Sequence, residues 1–537
     1  MNNLLKFLSV FCLVPLPAFA APLSFTVNMS EAVTVDTSGG TPRIAVDVGG
    51  VTRYAGYTSG SGSSALTFNY TPQAGDVDLD GVSLSSPVNL NGGAIADLNG
   101  NAISNLTFIP PNTANVKINY PSLSMDFVYD ADGRYTLNGT AYNDLSSFLT
   151  AAGGSFTRNS VGTYFDSTGT LQTASANTPR FDHDPVTHAA KGILIEESRA
   201  NLNRYSEQSD NAVYNKRNCT ISVNAIVTPN GTVTADKVVE DTGSVFKELQ
   251  IVNTSVSAAP YTVSAFVKPA GRNYMYLYES QTEKSVVFDL SLGTVNGNYT
   301  GGGGSLAPAY GISLVGNGWY RVWMTWNANV GIISYIAFGL RNAIGNFNSG
   351  YAGDGISGIY IWGAQLEQGA FPTSYIPTTT ATVTRQIDGL TLPTGSWFNM
   401  AEGSWESQFS IPYFYSASPR LVASDSYAGT FLSLNFDTTT TFKASVYDGT
   451  GIGTVNNSLI GSVSKAASAY TSTDKYINLN GGAVISGVRS NTYPLTPTSN
   501  IFIGRSSASD QRYSGTIQGI KYYPARVSDT QLQLLTQ

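Results

Sequence analysis

Short runs in which side chains alternate in character, each stopped by Gly, Asn, Asp or Pro, recur throughout this chain. NYMYLYES at Asn273–Ser280 and NGWYRVWMTW at Asn317–Trp326 are two of them. A period of two belongs to strands, because successive side chains of an extended backbone point to opposite faces. Composition agrees. Charged residues make up 12% of the 537, and the chain holds 54 Gly, 31 Tyr and 24 Phe, a usage that favours strands joined by tight turns over long exposed helices. The expected fold class is therefore all-β, as tandem β-sandwiches. A net charge of −7 argues against a nucleic-acid partner, which needs clustered Lys and Arg. With two histidines in the whole chain, a His-rich metal site is not expected.

The N-terminus carries an address. Lys6 precedes an apolar run from Phe7 to Leu16, and Ala18-Phe19-Ala20 supplies a small-x-small cleavage pattern. Residues 1–20 are expected to be a signal peptide removed after Ala20, placing the protein outside the cell, on its surface or in the periplasm. Phe11 is too large for a lipoprotein cleavage at Cys12. The mature chain would then hold one thiol, Cys219, and would rely on large β cores without internal disulfides. No later run approaches the roughly 20 apolar residues of a membrane span.

Residues 21–119 read as one β-sandwich, with strands expected at Leu23–Val27, Ile44–Val48, Ala65–Tyr70 and Ser104–Ile109. The phrases SFTVNMSEAVTV and YTPQAGDVDLDGVSL resemble bacterial Ig-like modules. Residues 120–200 are more irregular and carry FTRNSVGTYFDSTGTLQTASANTPRFDHDP and GILIEESRANL, which resemble a connecting segment of phage-tail proteins. Residues 201–384 hold strand candidates at Tyr261–Pro269, Asn273–Ser280, Ser285–Val295, Asn317–Trp326 and Gly358–Gly369. With the closing WGAQLEQGAFPTSYIPTTTATVTRQID, this stretch resembles carbohydrate-binding jelly rolls. Gly301–Gly304 is expected to be a flexible connection. Residues 385–537 resemble the concanavalin-A-like, laminin-G-type jelly roll through GSWESQFSI, DKYINLNGGAV, NIFIGRS and YSGTIQGIKYYPARVSDTQL. Asn480-Gly481 is a hairpin turn by its own chemistry, and Ser528-Asp529 caps a short helix that turns Leu532 and Leu535 inward.

Few motifs point to catalysis. Asp76, Asp78 and Asp80, followed by Gly81, alternate as in a calcium loop, but Pro87 stands where the twelfth-position Glu belongs. A solvated turn is expected, with calcium as the alternative. Asp182-His183-Asp184 and His188 lack a nucleophile partner and sit in loop-like sequence. A concanavalin-like glycanase places its carboxylates at alternating positions of one strand, whereas Glu406 is followed by Gln408 and Ser410, and Glu196 and Glu197 are adjacent.

Aromatic rows are the better lead. If Met275 and Leu277 face the core, Tyr274, Tyr276 and Tyr278 stand together on the other face; likewise Arg321 and Trp323 lie opposite Val322 and Met324. Rings stack on sugar C–H groups while polar side chains meet hydroxyls. The expectation is an exposed platform of Tyr274, Tyr276, Tyr278, Arg321 and Trp323 on facing strands, in an exported, non-enzymatic protein that binds cell-surface or extracellular glycans. A structural fibre-like protein without a sugar site and a glycan hydrolase are the alternatives.

Overall fold

The computed structural model describes residues 6–7, 21–131, 133–300, 308–344, 350–412, 420–424, 431–438, 441–447, 454–456, 463–488, 499–505 and 512–537. The expected signal peptide lies outside the described residues except for the backbone of Lys6–Phe7, which pairs with Val27 and Asn28. The expected loop Gly301–Gly304 lies outside them altogether. The described residues are dominated by antiparallel strands, and their α-helices are Leu145–Ala152 and Asp529–Leu535. The chain is all-β. It forms two compact units: Met1–Ser155 with Thr391–Arg512 and Ile517–Gln537, and Phe156–Leu390 with Tyr513–Thr516.

In the first unit, the strands Leu23–Asp36, Ser63–Tyr70, Val51–Ser59, Arg43–Val48 and Ser83–Asn89 follow one another across a sheet. The long first strand changes partner midway: its start pairs with Ser63–Tyr70 and its end with Ala94–Asp97. Three of the four expected strands form. Ser104–Ile109 joins no ladder, although Leu106 and Phe108 are buried. Its neighbour Ser83–Asn89 contains Pro87, which has no N–H to give a ladder.

Strands at Leu123–Asp126, Tyr135–Leu137 and Thr140–Tyr142, expected in a connector, are built into a sheet of the C-terminal part. Leu123–Asp126 pairs with Gly515–Tyr523 in a sheet that continues through Gly403–Ser410, Val463–Tyr470, Asp474–Leu479 and Ile485–Val488. A second sheet holds Asn500–Ile503, Arg420–Ser424, Phe431–Thr438 and Thr441–Tyr447. Asn480 and Gly481 both take positive φ, 47° and 69°, as a tight hairpin turn requires. Leu532 and Leu535 face inward from the last helix, while the Ser528 side chain makes no capping bond.

The second unit is a sandwich of two six-stranded sheets. One runs Tyr214–Arg217, Glu248–Val256, Gly331–Arg341, Tyr274–Glu279, Lys284–Asp289 and Thr294–Thr300; the other runs Cys219–Val227, Val233–Glu240, Gly358–Gln368, Ala259–Ala270, Tyr320–Ala328 and Ala309–Leu314. Met275, Leu277, Val286 and Phe288 of the first sheet meet Val263, Val322, Met324 and Trp326 of the second in one core. The expected strand Ser285–Val295 is two strands. Asp289 accepts from the amides of Ser291 and Leu292, and Gly293 at φ 65° completes the turn between them.

Candidate functional site

Period-two alternation places Met275 and Leu277 in the sandwich core and turns Tyr274, Tyr276 and Tyr278 to the outer face of the first sheet. Only the flanking rings remain partly open. Tyr276 is 1% exposed, so the expected row of three exposed rings is corrected to two around a buried one. The reason lies on the next strand. Gly339 sits opposite Tyr276 and leaves the room its ring occupies, for a Cβ there would overlap it. Lying across the sheet, Tyr276 donates its hydroxyl to Glu248 at 2.5 Å and packs with Val287 and Ala337, while Tyr278 and Tyr335 cover the same cluster. The Tyr278 and Tyr335 rings are 5.6 Å apart.

Glu248 organises the polar half of this face. It is 3% exposed and also accepts from Arg217 at 3.0 Å and from the Gln250 amide at 2.7 Å. Asn215 donates in turn to Gln250 at 2.6 Å. Arg217 and Asn215 are exposed, and Tyr274, Tyr278 and Tyr335 are half-buried. Burial first, then the Glu248 charge, holds the Tyr276 hydroxyl above the ordinary tyrosine range. That direction opposes its use as a nucleophile, which needs a lowered pKa or an available base. The face is thus a shallow, organised surface of ring faces beside a guanidinium and amides. Glu248, Gln250, Asn215, Arg217 and Tyr335 went unnoticed in the sequence, because their common address is the cross-strand register.

Arg321 and Trp323 do not join it. They belong to the second sheet and lie on its own outer face, opposite Val322 and Met324. The core separates them from the tyrosines, and the expected single platform is corrected to two faces on opposite sides of one sandwich. Trp323 is 8% exposed, and its ring lies against Gly311 of the edge strand. Arg321 reaches Ser264 at 3.2 Å and lies over the Phe266 ring.

The aspartates near residue 80 form a junction instead of a solvated turn. Asp76 and Asp78 are buried, at 2% and 3% exposure. Asp76 accepts from Arg53 at 2.7 Å, from the Gln73 amide and from the Tyr70 hydroxyl. Asp78 accepts from the amides of Gly49 and Gly81, and Asp80 from Gln531 on the last helix. Their oxygens face protein donors, and among the described residues no group of three His, Cys, Asp or Glu is placed to hold a metal. Asp184 accepts from the amides of Val186 and Thr187, as a turn-forming carboxylate does, whereas Asp182 lies in the strand Phe181–His183 and accepts from the amide of Phe165 on another strand. Glu406 pairs with Lys521 at 3.0 Å.

The motifs of the connecting segment converge on a buried ion network. Asp388 bridges Arg158 at 3.1 Å and Arg180 at 2.6 Å, and Glu196 bridges Arg180 at 2.8 Å and Arg385 at 2.6 Å. The three guanidiniums are fully buried. Glu196 also accepts from the amide and hydroxyl of Ser374. Burial alone would raise its pKa, but Arg385 and Arg180 hold it down at about 2. This network joins residues 156–200 to the segment 374–388 that follows the last strand of the sandwich.

No family model matches this chain, and no curated protein does. Solved structures that align with it include the CBM40 module of a Ruminococcus gnavus IT-sialidase, at 13% identity over 26% of this chain and 83% of that one, with a TM-score of 0.23. Domains LG4-5 of the mouse laminin alpha1 chain align over 51% of this chain and 85% of theirs, at 10% identity and a TM-score of 0.20. A Trypanosoma rangeli sialidase aligns over 95% and 94%, at 10% identity and a TM-score of 0.23. Likenesses of this depth assign neither a ligand nor a chemistry. Among the described residues no helix is long and apolar enough to cross a membrane.

Proposed function

We propose that this chain is an exported, non-enzymatic glycan-binding or adhesion protein, and that the outer face of the sheet carrying Tyr274–Glu279 is its sugar surface. One observation carries the reading: the partly open rings of Tyr274, Tyr278 and Tyr335 flank an ordered polar set, Arg217, Asn215, Gln250 and Glu248, on a single sheet face. Rings would stack on the C–H faces of a pyranose, and the exposed guanidinium and amide would donate to its hydroxyls. Tyr276 is the floor of this surface, and Arg321 and Trp323 are not part of it.

The test is a glycan array probed with the mature chain, followed by titration of whichever glycan binds into Tyr278→Ala and Tyr335→Ala variants. At roughly 0.5–1.5 kcal/mol per ring, by analogy with aromatic pairs, the double variant should bind about 5- to 150-fold more weakly while still folding with a single cooperative melt. Unchanged affinity would remove the surface from consideration, and release of new reducing ends from a bound glycan would favour a hydrolase.

A further inference from the structure

Lys247 sits between the short strand Ser244–Val245 and the strand Glu248–Val256, with its side chain fully buried. Its ammonium donates to three main-chain carbonyls, those of Gly243 at 2.6 Å, Tyr351 at 2.8 Å and Val245 at 3.1 Å. A lysine ammonium has three N–H donors and no acceptor, so the carbonyl set is matched donor for donor. An Asp241 carboxylate oxygen stands 3.3 Å away. The face of the Tyr351 ring completes the enclosure, with its centroid 4.5 Å from the nitrogen, within the range at which a cation is drawn to an aromatic face. Gly353 lets the chain close over the site, since a Cβ there would overlap the Lys247 Cε and the Asp241 carbonyl.

An isolated buried ammonium is costly. Here every feature of the surroundings compensates it: three carbonyl dipoles, one carboxylate and one π face. The set is suited to a monovalent cation. A calcium ion takes six to eight oxygen ligands, and this enclosure offers three carbonyls and one carboxylate.

We propose that this enclosure is a cation-binding site whose occupant is the protein's own Lys247 ammonium, selective for a primary ammonium, and that the bound charge locks the short strand Tyr351–Ala352 to its ladder partner Ser244–Val245. The Tyr351 hydroxyl donates to Glu240, and Arg272 pairs with both Glu240 and Asp354, so releasing the ammonium would loosen this whole end of the sandwich.

Two variants of the full chain test it. Lys247→Met keeps the bulk of the side chain and removes the charge and all three donors, leaving the carbonyls unmatched. It should melt several degrees below the wild type. Lys247→Ala opens the site, and propylammonium chloride should raise its melting temperature in a saturable manner. Tetramethylammonium chloride at equal ionic strength, which has no N–H, should not, nor should calcium chloride. A Met variant as stable as the wild type would overturn the proposal. So would a folded Ala variant that propylammonium fails to stabilise, or one that tetramethylammonium or calcium stabilises equally. If the Ala variant does not fold, the Met comparison decides alone.

Discussion

Replacing Glu196 by Gln probes the buried network with nearly constant shape. The wild-type carboxylate receives Arg180 at 2.8 Å, Arg385 at 2.6 Å, and the amide and hydroxyl of Ser374 at 2.7 and 2.6 Å. A glutamine presents an NH2 donor on one side to groups that are themselves donors; it takes from Arg385 the carboxylate it pairs with and leaves Arg158 and Arg180 to share Asp388. Removing one partner of a buried pair costs about 3–5 kcal/mol. The pH linkage falls in the same range. The Glu196 pKa falls from 4.5 to about 2, and at about 1.36 kcal/mol per unit this is about 3 kcal/mol. A depressed carboxylate pKa stabilises the fold above the unfolded value. That contribution is therefore complete at neutral pH and lost as pH falls from 4.5 through about 2. Urea unfolding followed by tryptophan fluorescence weights the right region, because four of the six tryptophans, Trp319, Trp323, Trp326 and Trp362, lie in the second unit. The gap between wild type and Glu196→Gln should be about 3 kcal/mol or more at pH 7 and should narrow steadily toward pH 2. A gap below about 1 kcal/mol at pH 7, the size expected of an exposed pair, or a gap that ignores pH, would refute the reasoning.

Gln531 is buried and bridges the Leu79 amide and Asp80, so Gln531→Ala should lower the stability of the first unit by about 1–3 kcal/mol in urea unfolding. Burial, with Asp241 adding to it, pushes the Cys219 thiol up to about 12; the native mature chain should resist a thiol reagent at pH 8 and react once unfolded in urea. N-terminal sequencing of natively produced protein should begin at Ala21, and an intact Met1 would end the export proposal.

Strand faces were legible from residue order alone. That Met275 and Leu277 share one face and the tyrosines the other, and that Val322, Met324 and Trp326 share a face, follows from a period of two, which is a property of one extended segment; that the first set and the last point inward is what the core shows. Inward Leu532 and Leu535 and the Asn480-Gly481 turn were equally local. Which sheet each strand joins is a different matter. Tyr276 and Trp323 ended on opposite sides of the sandwich because pairing joins segments far apart in the chain, and alternation is silent about the partner. Tyr276 is buried because Gly339, a residue of another strand, makes room for it. The ion network gathers Arg158, Arg180, Glu196, Arg385 and Asp388 from separated segments with no common period. In sequence they are only dispersed charges; burial, which excludes water and leaves each charge only its protein neighbours, is what makes them a unit. Local backbone geometry wrote the faces, and long-range pairing and desolvation chose what each face would meet.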